Sequence, residues 1–127
     1  HILPYIDDGA EDIDTSMEML RIAANDGITD IIATPHYIGG AYENNAAIVR
    51  EKYAELLKAI KENDIDINIY TGNEVFISPD VPRLVDEGQI CRLNDSSYIL
   101  IELPMASVPQ YTNDVFYELR LRGYTPI

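Results

Sequence analysis

The chain has 127 residues and a formal charge of −13, long enough for one domain with a real core. So acidic a surface repels nucleic-acid phosphates and argues against nonspecific DNA or RNA binding. No apolar run approaches the length of a bilayer span and no signal-peptide pattern opens the chain. The single cysteine, Cys91, excludes an intrachain disulfide, so a reducing cytoplasm is the default compartment.

His1-Ile2-Leu3-Pro4 reads as the exit from a strand, and Asp7-Asp8-Gly9 as a turn that is also a compact anionic loop. Thr15-Ser16-Met17-Glu18 has the form of a capping box, with Thr15 as the N-cap. Leu20, Ala23 and Ala24 continue that helix on one face, and Gly27 fits its stop. Ile28 to Thr34 is expected to be a buried strand, followed by a loop from His36 to Asn45 punctuated by Gly39-Gly40. Val49, Tyr53, Leu56, Leu57 and Ile60 recur at helical spacing, and Asn63-Asp64 ends that helix. Ile65, Ile67 and Ile69 alternate with polar residues, which is strand spacing. A short helix begins near Asp80 or Pro82 and stops at Gly88; Tyr98 to Leu103 is the next strand. Val115, Phe116 and Leu119 mark a last helix, closed by Gly123, and Tyr124 to Ile127 opens another strand. Strands alternating with helices predict an α/β fold with a parallel sheet or barrel.

Three apolar runs lead into residues able to bind a metal. Ile31-Ile32-Ala33-Thr34-Pro35 leads to His36, Ile65 to Asn73 leads to Glu74, and Tyr98-Ile99-Leu100-Ile101 leads to Glu102. Strand ends converge on one face of a barrel-like α/β fold, and chemistry is done there. Read alone, His36 is a structural histidine and Glu74 a surface carboxylate. Glu102 is either an edge residue facing water or a buried carboxylate that must be paired, protonated or metal-bound. With His1 and Asp8 the five form a mixed nitrogen and oxygen donor set, suited to manganese, iron or zinc, with carboxylates able to bridge two or more ions. Cys91 has no evident base beside it and reads as a core or edge residue, not a nucleophile.

Four segments carry a family resemblance: His-Ile-Leu-Pro-Tyr-Ile-Asp-Asp-Gly-Ala at 1–10, Ile-Ile-Ala-Thr-Pro-His at 31–36, Gly-Asn-Glu at 72–74 and Leu-Asn-Asp-Ser-Ser-Tyr-Ile-Leu-Ile-Glu at 93–102. In this order they resemble the bacterial tyrosine-protein phosphatases of the PHP (polymerase and histidinol phosphatase) superfamily that accompany capsule and exopolysaccharide genes. The resemblance implies a distorted (β/α)7 barrel with two or three ions, often manganese. It also implies hydrolysis of phosphotyrosine by metal-activated water and no cysteine intermediate. His1 matches the second His of an opening His-x-His pair, Asp8 the acidic ligand after it, and His36, Glu74 and Glu102 later ligands, with Glu74 a bridging carboxylate. A bacterial tyrosine kinase is the implied protein substrate. Tyr37 and Tyr42, in the loop after His36, are placed to contact a phosphotyrosine ring.

The first His of the pair is absent, and the family's Ala-His-Pro-Glu-Arg and Asp-x-His motifs are expected after Ile127. Residues 1–127 are therefore expected to be the N-terminal part of a single barrel domain, cut at both ends, with about half of the ligands. Two other readings stand beside this one. The substrate is instead a small-molecule phosphate, or the chain is a non-catalytic half-barrel that mediates assembly, for instance as a homo-oligomer, through its exposed sheet edges.

Overall fold

The computed structural model describes residues 1–127. The first helix, α1 (Ile13–Asn25), is capped not by Thr15 but by Asp12, whose Oδ1 accepts the Thr15 amide at 2.7 Å. The Thr15 hydroxyl donates to the same carboxylate oxygen. A carboxylate at a helix N-terminus gains from the helix dipole as well as the hydrogen bond, so Asp12 takes the cap three residues upstream. Helix α1 buries Met17 and Leu20, and Gly27 follows it with φ of 84°, a left-handed stop that glycine adopts without strain.

Strand β1 (Asp30–Ala33) is shorter and more open than the sequence suggests, with Ile32 41% exposed. Its only strand partner is β4 (Asn68–Thr71), in parallel register from Asp30–Asn68 to Ala33–Thr71. One face of this two-stranded sheet packs on α1 and on α2 (Ala46–Glu62), through a core that includes Leu3, Leu20, Ala33, Val49, Leu56 and Ile69. Helix α2 follows the predicted periodicity and is capped by Asn45, whose side chain accepts the Ala47 and Ile48 amides.

The segment from His36 to Asn45 is not a loop. It forms β2 (His36–Ile38) and β3 (Tyr42–Glu43), an antiparallel hairpin turning through Gly39-Gly40. Tyr37 and Ile38 before a Gly-Gly turn and Tyr42 after it favour a hairpin. Strand β2 also pairs in parallel with β5 (Glu74–Phe76), giving a second sheet of order β3-β2-β5-β6-β7. Strands β6 (Tyr98–Glu102) and β7 (Thr125–Pro126) complete it in parallel. Helices α3 (Val81–Asp86) and α4 (Thr112–Leu121) cover it around Val75, Val81, Ile99, Val115 and Leu119.

The chain thus crosses from the first sheet to the second twice, at Thr34-Pro35 and at Gly72-Asn73. This corrects the expectation that three strands end in the site residues. His36 and Glu74 each open a strand, side by side in register, and only Glu102 closes one. The crossings require particular residues. Pro35 offers no amide to continue a ladder, and a Cβ on Gly72 would lie 2.7 Å from Leu93 Cδ2. No helix is long and apolar enough to cross a membrane.

Leu20 is fully buried between α1 and α2 while Met19, its neighbour, is exposed. Leu20→Ala should therefore lower unfolding free energy by about 2–5 kcal/mol in urea titrations, and Met19→Ala by less than about 0.5 kcal/mol.

Candidate metal centre

The segment 1–10 folds back on itself, with the Ala10 amide donating to the His1 carbonyl and the Tyr5 amide to the Ala10 carbonyl. Gly9 makes this possible, since a Cβ there would fall 2.0 Å from the His1 carbonyl oxygen. The fold-back buries the Asp7 carboxylate completely. Its Oδ1 accepts the Gly9 amide at 3.0 Å, and its Oδ2 accepts the His36 amide at 3.0 Å and lies 2.8 Å from His1 Nδ1. A carboxylate on one ring nitrogen fixes tautomer and orientation and leaves the other nitrogen free to ligate, as in many metal sites. The other nitrogen of His1, Nε2, faces Glu74 Oε2 at 3.0 Å.

Asp8 projects from the same turn. Its Oδ1 lies 3.5 Å from His36 Nε2 and 3.7 Å from His1 Nδ1. On the far side of the His36 ring, Nδ1 lies 3.5 Å from Glu102 Oε2. Both of these atoms are buried and neither has a hydrogen-bond partner. The five residues His1, Asp8, His36, Glu74 and Glu102 thus converge as two groups sharing His36. One is His1, Asp8 and His36 and the other His36, Glu74 and Glu102, with ligand atoms within 4.8 Å of one another in each. No lysine or arginine forms an ion pair with Asp7, Asp8, Glu74 or Glu102; the only partners are the two imidazoles. Buried polar atoms left unpaired are costly, and a divalent cation against His36 Nδ1 and Glu102 Oε2 would satisfy both. The donor set fits a metal.

Residues 1–127 match over their whole length the family model described as capsular polysaccharide synthesis, CpsB/CapC. The chain belongs to the CpsB/CapC family. Among its relatives, YwqE of Bacillus subtilis, a tyrosine-protein phosphatase, is 45% identical over 127 residues, which are all of this chain and 50% of YwqE. CapC of Staphylococcus aureus is 38% identical over all of this chain and 50% of its own length. CpsB of Streptococcus pneumoniae, also a tyrosine-protein phosphatase, is 27% identical over all of this chain and 52% of its own length. A chain from the crystal structures of Bacillus subtilis YwqE and Streptococcus pneumoniae CpsB, described as unique metal-dependent tyrosine phosphatases, superposes with a TM-score of 0.94 at 45% identity. The match covers 99% of this chain and 51% of that one. This CpsB/CapC chain therefore spans about half the length of the curated relatives it matches.

Around the five residues, the CpsB/CapC chain is held together by two asparagines and a carboxylate that periodicity does not reveal. Asn73, fully buried, donates from Nδ2 to the carbonyls of Pro35 (3.1 Å) and Asn44 (3.0 Å), and its Oδ1 accepts the Cys91 amide at 2.8 Å. Asn44 in turn donates to the carbonyls of Ile6 (2.7 Å) and His36 (3.0 Å). These bonds tie together the segments that carry Asp7-Asp8, His36 and Glu74. The sequence signals were present in Asp-Asp-Gly and Gly-Asn-Glu, but nothing in them says which polar group turns inward.

Cys91 is buried beneath Asn73, and desolvation pushes its thiol up from the ordinary range. A thiol held protonated is a poor nucleophile. Tyr42 lies nearly parallel to the His36 ring at 5.9 Å, and Tyr37 lines a cavity at the ends of β2 and β5. At His1, burial pulls the imidazole pKa down, but the hydrogen bonds and charges of Asp7 and Glu74 outweigh it, so the net value lies above 6.5.

In metal-free protein, that raised pKa contributes stability that is complete below the unfolded value of 6.5 and is lost as pH rises through the folded value. Metal binding has the opposite sign, because the ring must lose its proton to ligate. Calorimetric titration with manganese should show affinity falling between about pH 8 and about pH 6. Asp7→Asn should lower that affinity by about 10- to 100-fold. Asn73→Ala removes three buried hydrogen bonds and should cost about 2–4 kcal/mol of stability in urea titrations.

Proposed function

We propose that this chain contributes the first half of the metal centre of a cytoplasmic protein-tyrosine phosphatase. It would act on a bacterial tyrosine kinase and so regulate capsular or exopolysaccharide synthesis. Residues 1–127 would be the N-terminal part of one (β/α)7 barrel, with the remaining ligands supplied by the rest of the protein. The observation that carries the reading is the pair of buried, unpartnered atoms His36 Nδ1 and Glu102 Oε2, within two donor groups that share His36. The names of the relatives supply the reaction class.

His1, Asp8, His36, Glu74 and Glu102 would hold two or three divalent ions, with manganese the metal of choice for this oxygen-rich mixed set. Bound there, the ions would neutralise a phosphate dianion and acidify a water so that it attacks phosphorus near neutral pH. Asp7 holds the His1 ring with Nε2 turned toward Glu74 and clamps the His36 backbone at the same time. Asp8 reaches toward both imidazoles from the exposed side, where a substrate would enter. Glu74, beside His1 and in register with His36, would be the carboxylate that bridges ions. Repulsion explains why cations are needed at all: four carboxylates without a paired lysine or arginine would otherwise turn a phosphate away.

The test uses a full-length protein carrying this sequence, loaded with manganese and given a phosphotyrosine peptide. Chelation should abolish turnover. Glu102→Gln and His36→Ala should each lower kcat/KM by about 100-fold or more while leaving the circular-dichroism spectrum folded. Unchanged turnover in either variant would overturn the assignment, and faster turnover of a small sugar phosphate than of the peptide would move it to a small-molecule substrate.

A further inference from the structure

Beyond the donor atoms, the face that carries them becomes apolar. Side chains two residues apart on a strand share a face. Ile38 therefore follows His36 and Phe76 follows Glu74 on that face, and Phe76 is the register partner of Glu102. Ile38 and Phe76 are half-buried, yet neither packs against either hydrophobic core of the chain. They line a cavity of about 490 Å³ at the ends of β2 and β5, together with Tyr37 and Leu84. Its charged lining residues are Glu43, Asp80 and Arg83, and Arg83 is already engaged by Asp80 and Glu87. A second anion has nothing to bind there, whereas an uncharged flat group does.

We infer that Ile38 and Phe76 form a slot for the aryl ring of a phosphomonoester and set selectivity for aryl over alkyl phosphates. This rests on the phosphatase reading above. Two residues of strand span about 6.6 Å, which is the order of reach of a phenyl group joined to phosphorus through one oxygen. A phosphate at the donor atoms would thus lay its ring over Ile38 and Phe76. An alkyl phosphate with a short hydrated chain would leave the slot wet and gain nothing from it. The cavity is also large enough for part of a residue flanking the phosphotyrosine.

The experiment compares wild type, Phe76→Ala, Phe76→Leu and Ile38→Ala in the manganese-loaded full-length protein, with manganese content measured for each. Phenyl phosphate and glycerol phosphate serve as substrates, and calorimetry records binding of phenylphosphonate and methylphosphonate. The ratio of kcat/KM, aryl to alkyl, should fall about 10-fold in Phe76→Ala, less in Phe76→Leu, with a parallel loss of preference for phenylphosphonate at unchanged manganese content. Equal ratios in wild type and variants, or equal phosphonate affinities in wild type, would overturn the slot while leaving the phosphatase reading in place. Preference for phenylphosphonate, lost in Phe76→Ala, without turnover of either ester would uphold the slot and overturn the phosphatase reading instead.

Discussion

Negative charge brought together without compensation is the constraint from which the rest of this structure follows. Asp7, Asp8, Glu74 and Glu102 stand around two imidazoles, and no basic side chain pairs with any of them. Like charges at such separations repel by an amount that grows as water is excluded. The protein answers at one place and not at another. At Asp7 the repulsion is met by backbone amides and by the raised proton affinity of His1. At His36 and Glu102 it is not met at all, and two buried atoms are left facing one another. A scaffold that tolerates this must be stiff elsewhere, and the Asn44–Asn73 network supplies that stiffness beneath the donors.

The fold places His36 and Glu74 by breaking strands rather than by ending them. A continuous strand through residues 30–38 would turn alternate side chains to one face at a fixed spacing. By stepping from one sheet to the other at Thr34-Pro35 and again at Gly72-Asn73, the chain brings His36 and Glu74 into register where the two sheets meet. Asn73 sits at the second step and bonds to Pro35 at the first, so the two breaks hold one another. The same line separates the core packed by α1 and α2 from the core packed by α3 and α4.

Much of this was legible in the sequence, and what was not has identifiable causes. Helix α2 was readable because Val49, Leu56 and Ile60 repeat on one side of seventeen residues. The stops at Gly27, Gly88 and Gly123 were readable because a left-handed turn favours glycine, and all three have positive φ. The hairpin at 36–43 was hidden because Gly39-Gly40 signals a turn of any kind, and only pairing with β5 shows that its flanks are strands. The cap at Asp12 was hidden because Asp and Thr are both good caps, and the choice depends on where Met17 and Leu20 must point to reach the core. The five site residues stood out by type and by their position after apolar runs. Asp7 did not, because adjacent carboxylates in a turn look alike until the fold-back brings the Gly9 and His36 amides onto one of them. Its role is a property of the folded loop and has no local signature.

Sulfur takes no part in the arrangement. The one thiol is buried and held protonated, while the amide of the same residue, Cys91, donates to Asn73 Oδ1. The donors of the centre are imidazole nitrogens and carboxylate oxygens, which peroxide and alkylating reagents attack far less readily than a thiolate. Holding a metal as proposed above, such donors would withstand oxidation that silences a reactive cysteine, and their weak point would be the supply of metal.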